Sequence, residues 1–592
     1  MAQAVKHLIV LMLENRSFDH MLGFMRSPTY SVDGLTGREH CPQSATDPTP
    51  VLVSSDGVGG LPYDAGHSMT DTNFQLFFNH SGPPVSPGQR LNSGFVHSYA
   101  EQKHVTPDAA RRIMACFKPG DVPSLSGLAR EFAVCDRWFS SLPGPTWPNR
   151  LFVHAATSKG SVANEPGGNF DMPTILEGLS DAGLDWKVYS HDFPLTQMFG
   201  RLTLPEFDRN WDSIGGFKRD CRNGTLPQYG FIEPKYTKLL GPGNSQHPPE
   251  AIDRGDQLID DVYHAVRTSP SWNDVMLVVT YDEHGGTYDH VTPPDNAVAP
   301  DNQTQRFSFT RLGVRVPTVI VSPWIPRETI VNNADFDHSS VPATIKKVFG
   351  LPAFLTRRDA AANTFEGVAS LGSPRTDAPL RFRAADERRL TEWGDEVTDL
   401  HRARMLMARG EASAAPISGL QLDIVALARE RAMDTAVPEA AVLDLMRPML
   451  TEHDAAIYIR EAAARIRARR ASRAHPQALP HEGSLAASED IERRGSTVDP
   501  GAAVALHVTQ DDHNYWSLSL ERGDGSLKLL QWQAVTADQL IEDAYQLVLE
   551  GRYPNAVVLF DPPRRRESRV LRAESTLDSG YTKPLPRKAG LK

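Results

Sequence analysis

Three short apolar runs punctuate the 592-residue chain, at residues 8–13 (LIVLML), 275–279 (VMLVV) and 316–321 (VPTVIV). Runs of this length without polar alternation suit parallel strands buried on both faces, so they predict a central covered sheet. A further strand is read around Trp186 to Tyr189. Between the runs the period changes: over residues 251–267, Ile252, Leu258, Ile259, Val262, Tyr263 and Val266 recur at helical spacing. Strands alternating with helices predict an α/β fold with a doubly wound, mostly parallel sheet covered by helices. In such sheets ligands bind beyond the carboxyl ends of the strands, where polar residues become informative.

After about residue 380 the pattern shifts to helices rich in Ala, Arg and Glu, with a long helical stretch at 440–471 ending in IRARRASRA. That basic end is read as a solvated face, with an anionic-lipid or partner surface as the alternative. Residues 473–500 are poor in large apolar groups and read as a linker. Beyond them NYWSLSL and SLKLLQWQ flank a turn at Asp524-Gly525, Thr536 caps an expected helix ending before Gly551, and 556–560 is an expected strand. The expected organisation is a catalytic domain at 1–380, a helical extension at 381–472, the linker, a small α+β unit at 501–570 and a basic tail. That tail, read as disordered, starts near Arg564 in composition and is bounded at 571–592. No internal repeat is evident.

Composition narrows the function classes. With 40% hydrophobic and 23% charged residues and a formal net charge of -11, the chain offers no electrostatic case for nucleic acid. Cys41, Cys116, Cys135 and Cys221 lie far apart with no zinc-like or redox-pair spacing, and read as buried structural thiols. The N-terminal apolar run leads straight into a polar cluster without a signal-peptide cleavage site, so it is read as a retained first strand. No stretch approaches the roughly 18 apolar residues a membrane span needs. A cytoplasmic location is the expectation, with a non-classical export route as the exception.

The strand ends carry the candidate chemistry. The first strand ends at Glu14-Asn15, another at Asp282-Glu283-His284, and a third at His191-Asp192. Either acidic pair alone is explicable as a cap or a surface feature. Brought to one rim, several carboxylates would repel without a cation, and their oxygens suit Ca²⁺, Mg²⁺ or Mn²⁺ better than Zn²⁺. In PGPTWPNRLFVHAAT, Thr146 is read in a turn just before a helical pattern from Asn149, where exposed amides favour a phosphate. A threonine hydroxyl needs a base or a metal ion to become a nucleophile. Proton carriers are available in His67, His191, His247, His284 and His338, whereas His154 within the Thr146 helix is as readily a core residue.

The stretches LENRSFDHMLG, SLPGPTWPNRLF, HPPE before a helix, and TYDEHGGTYDHV, in this order, resemble the bacterial phospholipase C and acid phosphatase family of the alkaline phosphatase-like superfamily, over roughly residues 5 to 365. The resemblance implies one divalent metal held by Glu14, Asn15, Asp282, Glu283 and the Thr146 hydroxyl. It implies that Thr146 attacks phosphorus to give a phospho-enzyme, which water then hydrolyses. It further implies that His67, His247 and His338, with His191 as a looser match, contact the phosphoryl group or assist the leaving group. Thr in GPTWPNR resembles the phospholipase C branch, and so points to a phosphatidylcholine-type diester reached by peripheral membrane contact; a phosphomonoesterase and a catalytically silent binding protein are the alternatives. The C-terminal unit carries no sequence signal of its role, and the oligomeric state is open.

Overall fold

The computed structural model describes residues 5–83, 91–165, 170–236 and 243–383, five helical positions between 424 and 462, and five strands between 505 and 572. It divides into two compact units, Met1–Ala464 and Arg465–Lys592.

The first unit is built on an eight-stranded sheet whose strands are β1 (His7–Leu13), β2 (Ala133–Cys135), β3 (Trp186–Ser190), β4 (Trp211–Ser213), β5 (Tyr229–Glu233), β6 (Val275–Tyr281), β7 (Thr318–Val321) and β8 (Thr329–Val331). Their spatial order is β8-β2-β7-β6-β1-β5-β3-β4. The apolar runs at 8–13 and 275–279 become β1 and β6, which lie side by side, parallel and buried on both faces. Every neighbouring pair is parallel except those made by β7, which runs antiparallel to both β6 and β2. The parallel direction expected for the 316–321 run is therefore corrected. A continuous apolar run reports burial on both faces and is silent about direction.

Three helices bear on the site. α1 (Thr146–Ala155) is wholly buried, α2 (Asp253–Arg267) begins two residues later than its periodicity suggests, and α3 (Ser340–Phe349) ends at Gly350 in the left-handed conformation. All four cysteines are buried and unbonded to one another, as expected of structural thiols. Among the described residues no helix is long and apolar enough to cross a membrane.

In the second unit, β9 (Ala505–Gln510), β10 (Trp516–Glu521), β11 (Leu527–Ala534), β12 (Val557–Asp561) and β13 (Arg569–Arg572) form one sheet in the order β11-β10-β9-β12-β13. The β10-β11 hairpin is antiparallel, as its alternation suggests. β13 pairs antiparallel with β12, which corrects the reading of a disordered tail from Arg564: Val570 and Leu571 supply the apolar strand segment that the flanking arginines mask. The Asp524-Gly525 turn, the helix after Thr536, the 473–500 linker and most of the 381–472 extension and the 571–592 tail lie outside the described residues. Within the extension, Ile424, Val425, Leu427, Ala428 and Ala462 are helical and buried.

Candidate functional site

Sheet register brings the two acidic pairs together. Leu13 of β1 pairs with Tyr281 of β6, so the residues next along each chain, Glu14-Asn15 and Asp282-Glu283, leave the sheet side by side. Both chains must turn sharply there. Asn15 takes a positive φ of 58°, which Asn tolerates better than most residues, and Gly285 and Gly286 have φ of 58° and 69°. Gly285 is needed for a second reason: a Cβ there would lie 2.2 Å from the Asn15 carbonyl oxygen. The Asn15 amide donates to Asp282 Oδ1 at 2.9 Å, which locks one turn to the other.

α1 delivers the hydroxyl. Its first residue is Thr146 itself, preceded by Pro145 in extended conformation, which corrects the expectation of a turn residue ahead of a helix starting at Asn149. Pro148 sits within the first turn, where its missing N–H costs no helical bond. Asn149 fixes the approach: its Nδ2 donates to the Gly144 carbonyl at 2.9 Å, and its Oδ1 accepts from the Leu142 amide at 3.1 Å. Thr146 Oγ1 then lies 3.4 Å from both Glu14 Oε2 and Asn15 Oδ1, in a pocket where Glu14, Asn15, Asp282 and Glu283 are fully buried.

One residue that the strand-end logic overlooks completes this cluster. Arg150, one turn along α1 from Thr146, reaches Glu14 Oε1 at 2.5 Å and places Nε 3.4 Å from Asp282 Oδ2. Its Nη2 also donates to the Met12 and Leu13 carbonyls, both at 3.3 Å. The signal in the sequence is the i, i+4 spacing from Thr146, which puts both side chains on one face of the helix.

The electrostatics are those of a site short of positive charge. Burial pushes the Glu14 carboxyl well above its usual range, Arg150 pulls it down, and the neighbouring Asp282 and Glu283 push it up again. Asp282 Oδ2, Glu283 Oε1 and Asn15 Nδ2 are buried without a hydrogen-bond partner. Orphaned carboxylate oxygens are rare in folded interiors, and carboxylate, amide and hydroxyl oxygens together form a donor set that suits a hard divalent cation. Glu14, Asn15, Asp282, Glu283 and Thr146 thus fit a metal.

The histidines separate into distinct settings. His67 and His247 face each other edge to face, with ring centroids 5.9 Å apart. Each anchors Nδ1 to a backbone carbonyl, Ala65 at 2.8 Å and Pro248 at 2.6 Å, so that Nε2 remains directed away from the backbone contact. Asp64, three residues before His67 and carrying no strand-end signal, lies 4.0 Å from His247 Nε2. Burial draws His67 down, but the charges of Glu283 and Asp64 outweigh it and lift the ring to about 9. His338 is fully buried and has both nitrogens engaged: Trp138 Nε1 donates to Nδ1 at 3.4 Å, and Nε2 meets the Asp282 carbonyl at 2.6 Å. That ties the His338 ring to the Asp282 backbone. His284 is braced by Gln75 at 2.8 Å and lies 3.4 Å from Glu283, while His191 pairs with Asn244 at 3.3 Å. His154 is a core residue, its ring against Phe231 and its pKa lowered to about 3 by burial.

A second buried ionic cluster lies in the same loops. Arg315 donates to Asp289 Oδ1 and Asp19 Oδ1, each at 3.0 Å, and to the Asp33 and Asp136 carbonyls. His290 contacts Asp19 at 2.5 Å and Asp33 at 3.3 Å. The carboxylates of this cluster are met by protein cations, so it reads as a tie between the Asp19 loop and the Asp289 loop.

Comparison with known proteins supplies the family. The model of the Phosphoesterase family matches residues 5–352. Non-specific phospholipase C6 of Arabidopsis thaliana is 42% identical over 409 residues, covering 66% of this chain and 76% of that protein. Non-specific phospholipase C5 of the same plant is 38% identical over 431 residues, 69% of this chain and 82% of that protein. Phospholipase C B of Mycobacterium tuberculosis is 28% identical over 422 residues, 62% of this chain and 78% of that protein. Thr146, both acidic pairs, His67 and His247 all fall within the matched segment, and the chain belongs to the Phosphoesterase family, as a phosphoric-ester hydrolase.

Proposed function

We propose that this enzyme is a phospholipase C-type phosphodiesterase that cleaves phosphatidylcholine-like diesters through a covalent Thr146 intermediate at a site for one divalent cation, Ca²⁺, Mg²⁺ or Mn²⁺ in preference to Zn²⁺. The observation that carries this reading is the Thr146 hydroxyl 3.4 Å from Glu14 Oε2 and Asn15 Oδ1, in a site where Asp282 Oδ2 and Glu283 Oε1 are buried without a hydrogen bond. The phospholipase C names of the relatives support diesters as the substrate class.

A cation held by Glu14, Asn15, Asp282, Glu283 and Thr146 would supply Lewis acidity and offset the charge of the phosphoryl group. The protein's own residues do the rest. Thr146 sits at the amino end of α1, where the helix dipole favours an anionic phosphate. Its Oγ1 forms the new bond to phosphorus while its proton leaves toward Glu14 Oε2. The bond to the glycerol oxygen breaks, and that oxygen takes a proton from the His67 and His247 pair, where the nearby charges of Glu283 and Asp64 favour the protonated His67 ring. Water then cleaves the Thr146 ester, releasing the phosphorylated head group and restoring the hydroxyl. His338 and His284 hold Asp282 and Glu283 in place and take no proton.

A substrate panel tests this. Phosphatidylcholine vesicles and p-nitrophenylphosphorylcholine are expected to turn over at least tenfold faster than p-nitrophenyl phosphate, with Thr146→Ala inactive on all three. A preference for the monoester at unchanged Thr146 dependence would replace the diesterase reading with a phosphomonoesterase.

A further inference from the structure

We infer that Arg150 is a resident counter-cation of the metal site: it keeps the metal-free carboxylate cluster assembled and weakens metal binding to match the site to a divalent ion. The inference rests on the proposed cation site and extends it. Arg150 is nearly inaccessible to solvent, with 3% of its side chain exposed, and it meets Glu14 at 2.5 Å and Asp282 at 3.4 Å. It therefore touches one carboxylate from each strand-end pair. Its Nη2 is anchored to the last carbonyls of β1, and the Tyr236 ring lies 5.6 Å from its guanidinium carbon. Its Nη1 finds no hydrogen-bond partner, and its Nε meets Asp282 only as an ion pair. A buried guanidinium is normally saturated, so this group is placed for its charge as much as for its hydrogen bonds.

The charge count comes from the residues themselves. Glu14, Asp282 and Glu283 in their ionised forms carry three negative charges, and Arg150 removes one. The carboxylates still outnumber the guanidinium, which leaves the site negative toward a divalent ion. Like charges crowded in a dry site destabilise the fold unless a cation offsets them, and leaving them without one is worse than never burying them. Arg150 supplies that offset when no metal is bound. When one binds, the guanidinium and the ion repel, so the same residue lowers metal affinity. Arg150 is thus a positioning residue that acts on the site through Glu14 and Asp282.

This yields a signature that a merely packing arginine would not give. Losing a packing contact weakens the metal-free and metal-bound proteins alike. Losing a counter-cation weakens the metal-free protein most and makes the metal bind more tightly. The experiment titrates the full-length, chelator-stripped protein with Mn²⁺, Mg²⁺ and Ca²⁺ by calorimetry and by thermal shift, for wild type, Arg150→Met and Arg150→Lys. Wild type is expected to bind one ion. Arg150→Met is expected to melt lower without metal, to show a larger metal-induced rise in Tm, and to bind the ion at least tenfold more tightly. Arg150→Lys, which keeps the charge and loses the fork, is expected to bind within about threefold of wild type. Should Arg150→Met fail to fold without metal, recovery on adding Mn²⁺ supports the inference. Failure with and without metal overturns it, as does unchanged or weaker binding by Arg150→Met, or tightening of Arg150→Lys to the same degree. A wild type that binds no divalent ion would instead overturn the metal site itself, and the inference with it.

Discussion

Asp282→Asn separates a functional site from a structural one. The substitution is nearly isosteric: Oδ1 can still accept the Asn15 amide at 2.9 Å and the Glu283 amide at 2.7 Å, so the turn keeps its bonds. What it removes is one of three carboxylate charges. Two unit charges about 4 Å apart near a protein interior interact by about 4 kcal/mol. Neutralising Asp282 relieves its repulsion from Glu14 and from Glu283 and gives up its attraction to Arg150 at 3.4 Å, a net change equivalent to about one such pair. Relaxation reduces this, so the metal-free variant is expected to be more stable by on the order of 1–3 kcal/mol. Its Tm in chelator should equal or exceed that of wild type, while the rise produced by added Mn²⁺ should largely vanish. Turnover of p-nitrophenylphosphorylcholine should fall at least a thousandfold, which at about 1.4 kcal/mol per decade is roughly 4 kcal/mol of lost transition-state stabilisation. Stability gained with activity lost is the mark of a site held under electrostatic strain for function. Turnover within tenfold of wild type, with metal present, would refute the assignment.

Three further substitutions have defined outcomes. If the ring is the proposed proton donor and not a ligand, His67→Asn should lower kcat by about 10² to 10⁴ while leaving Mn²⁺ affinity within a few-fold in calorimetry; loss of metal binding would contradict that. His154 is buried with its pKa near 3, so the unfolded chain binds the extra proton first and stability falls as pH drops below about 6.5. His154→Gln should therefore flatten the decline of Tm between pH 6.5 and 4, by up to about 1.4 kcal/mol per pH unit. An unaltered slope would place acid sensitivity elsewhere. Arg315→Met takes the guanidinium from Asp289 and leaves Asp19 to His290 alone, and should cost about 3–5 kcal/mol, read as a fall in Tm or loss of soluble protein, whereas an unchanged Tm would show the network to be dispensable.

The sequence announced the carboxylates because an uninterrupted apolar run ending in acids has few readings: β1 and β6 could only be buried strands, and Glu14-Asn15 and Asp282-Glu283 had to emerge at an end of the sheet. That both emerge at the same place depends on β1 and β6 being parallel neighbours, which the fold class favours and the register settles. The antiparallel direction of β7 was hidden, because burial on two faces looks the same in either direction. Arg150 was hidden for another reason. In PNRL it reads as an ordinary helical arginine, and only the position of Thr146 at the first helical residue turns their spacing into a shared site. The ties made by Arg315, Asp19, Asp289 and His290 join segments up to 296 residues apart, a distance no local pattern spans.

Trapping the covalent intermediate bears most directly on the whole account. The enzyme, mixed with p-nitrophenylphosphorylcholine and quenched in acid within the first turnover, should carry one phosphorylcholine group on the peptide that contains Thr146, with a burst of nitrophenol matching the enzyme concentration. Thr146→Ala should show neither adduct nor burst. A wild-type enzyme that turns over rapidly with no burst and an unmodified Thr146 peptide, or an adduct on any other residue, would contradict it.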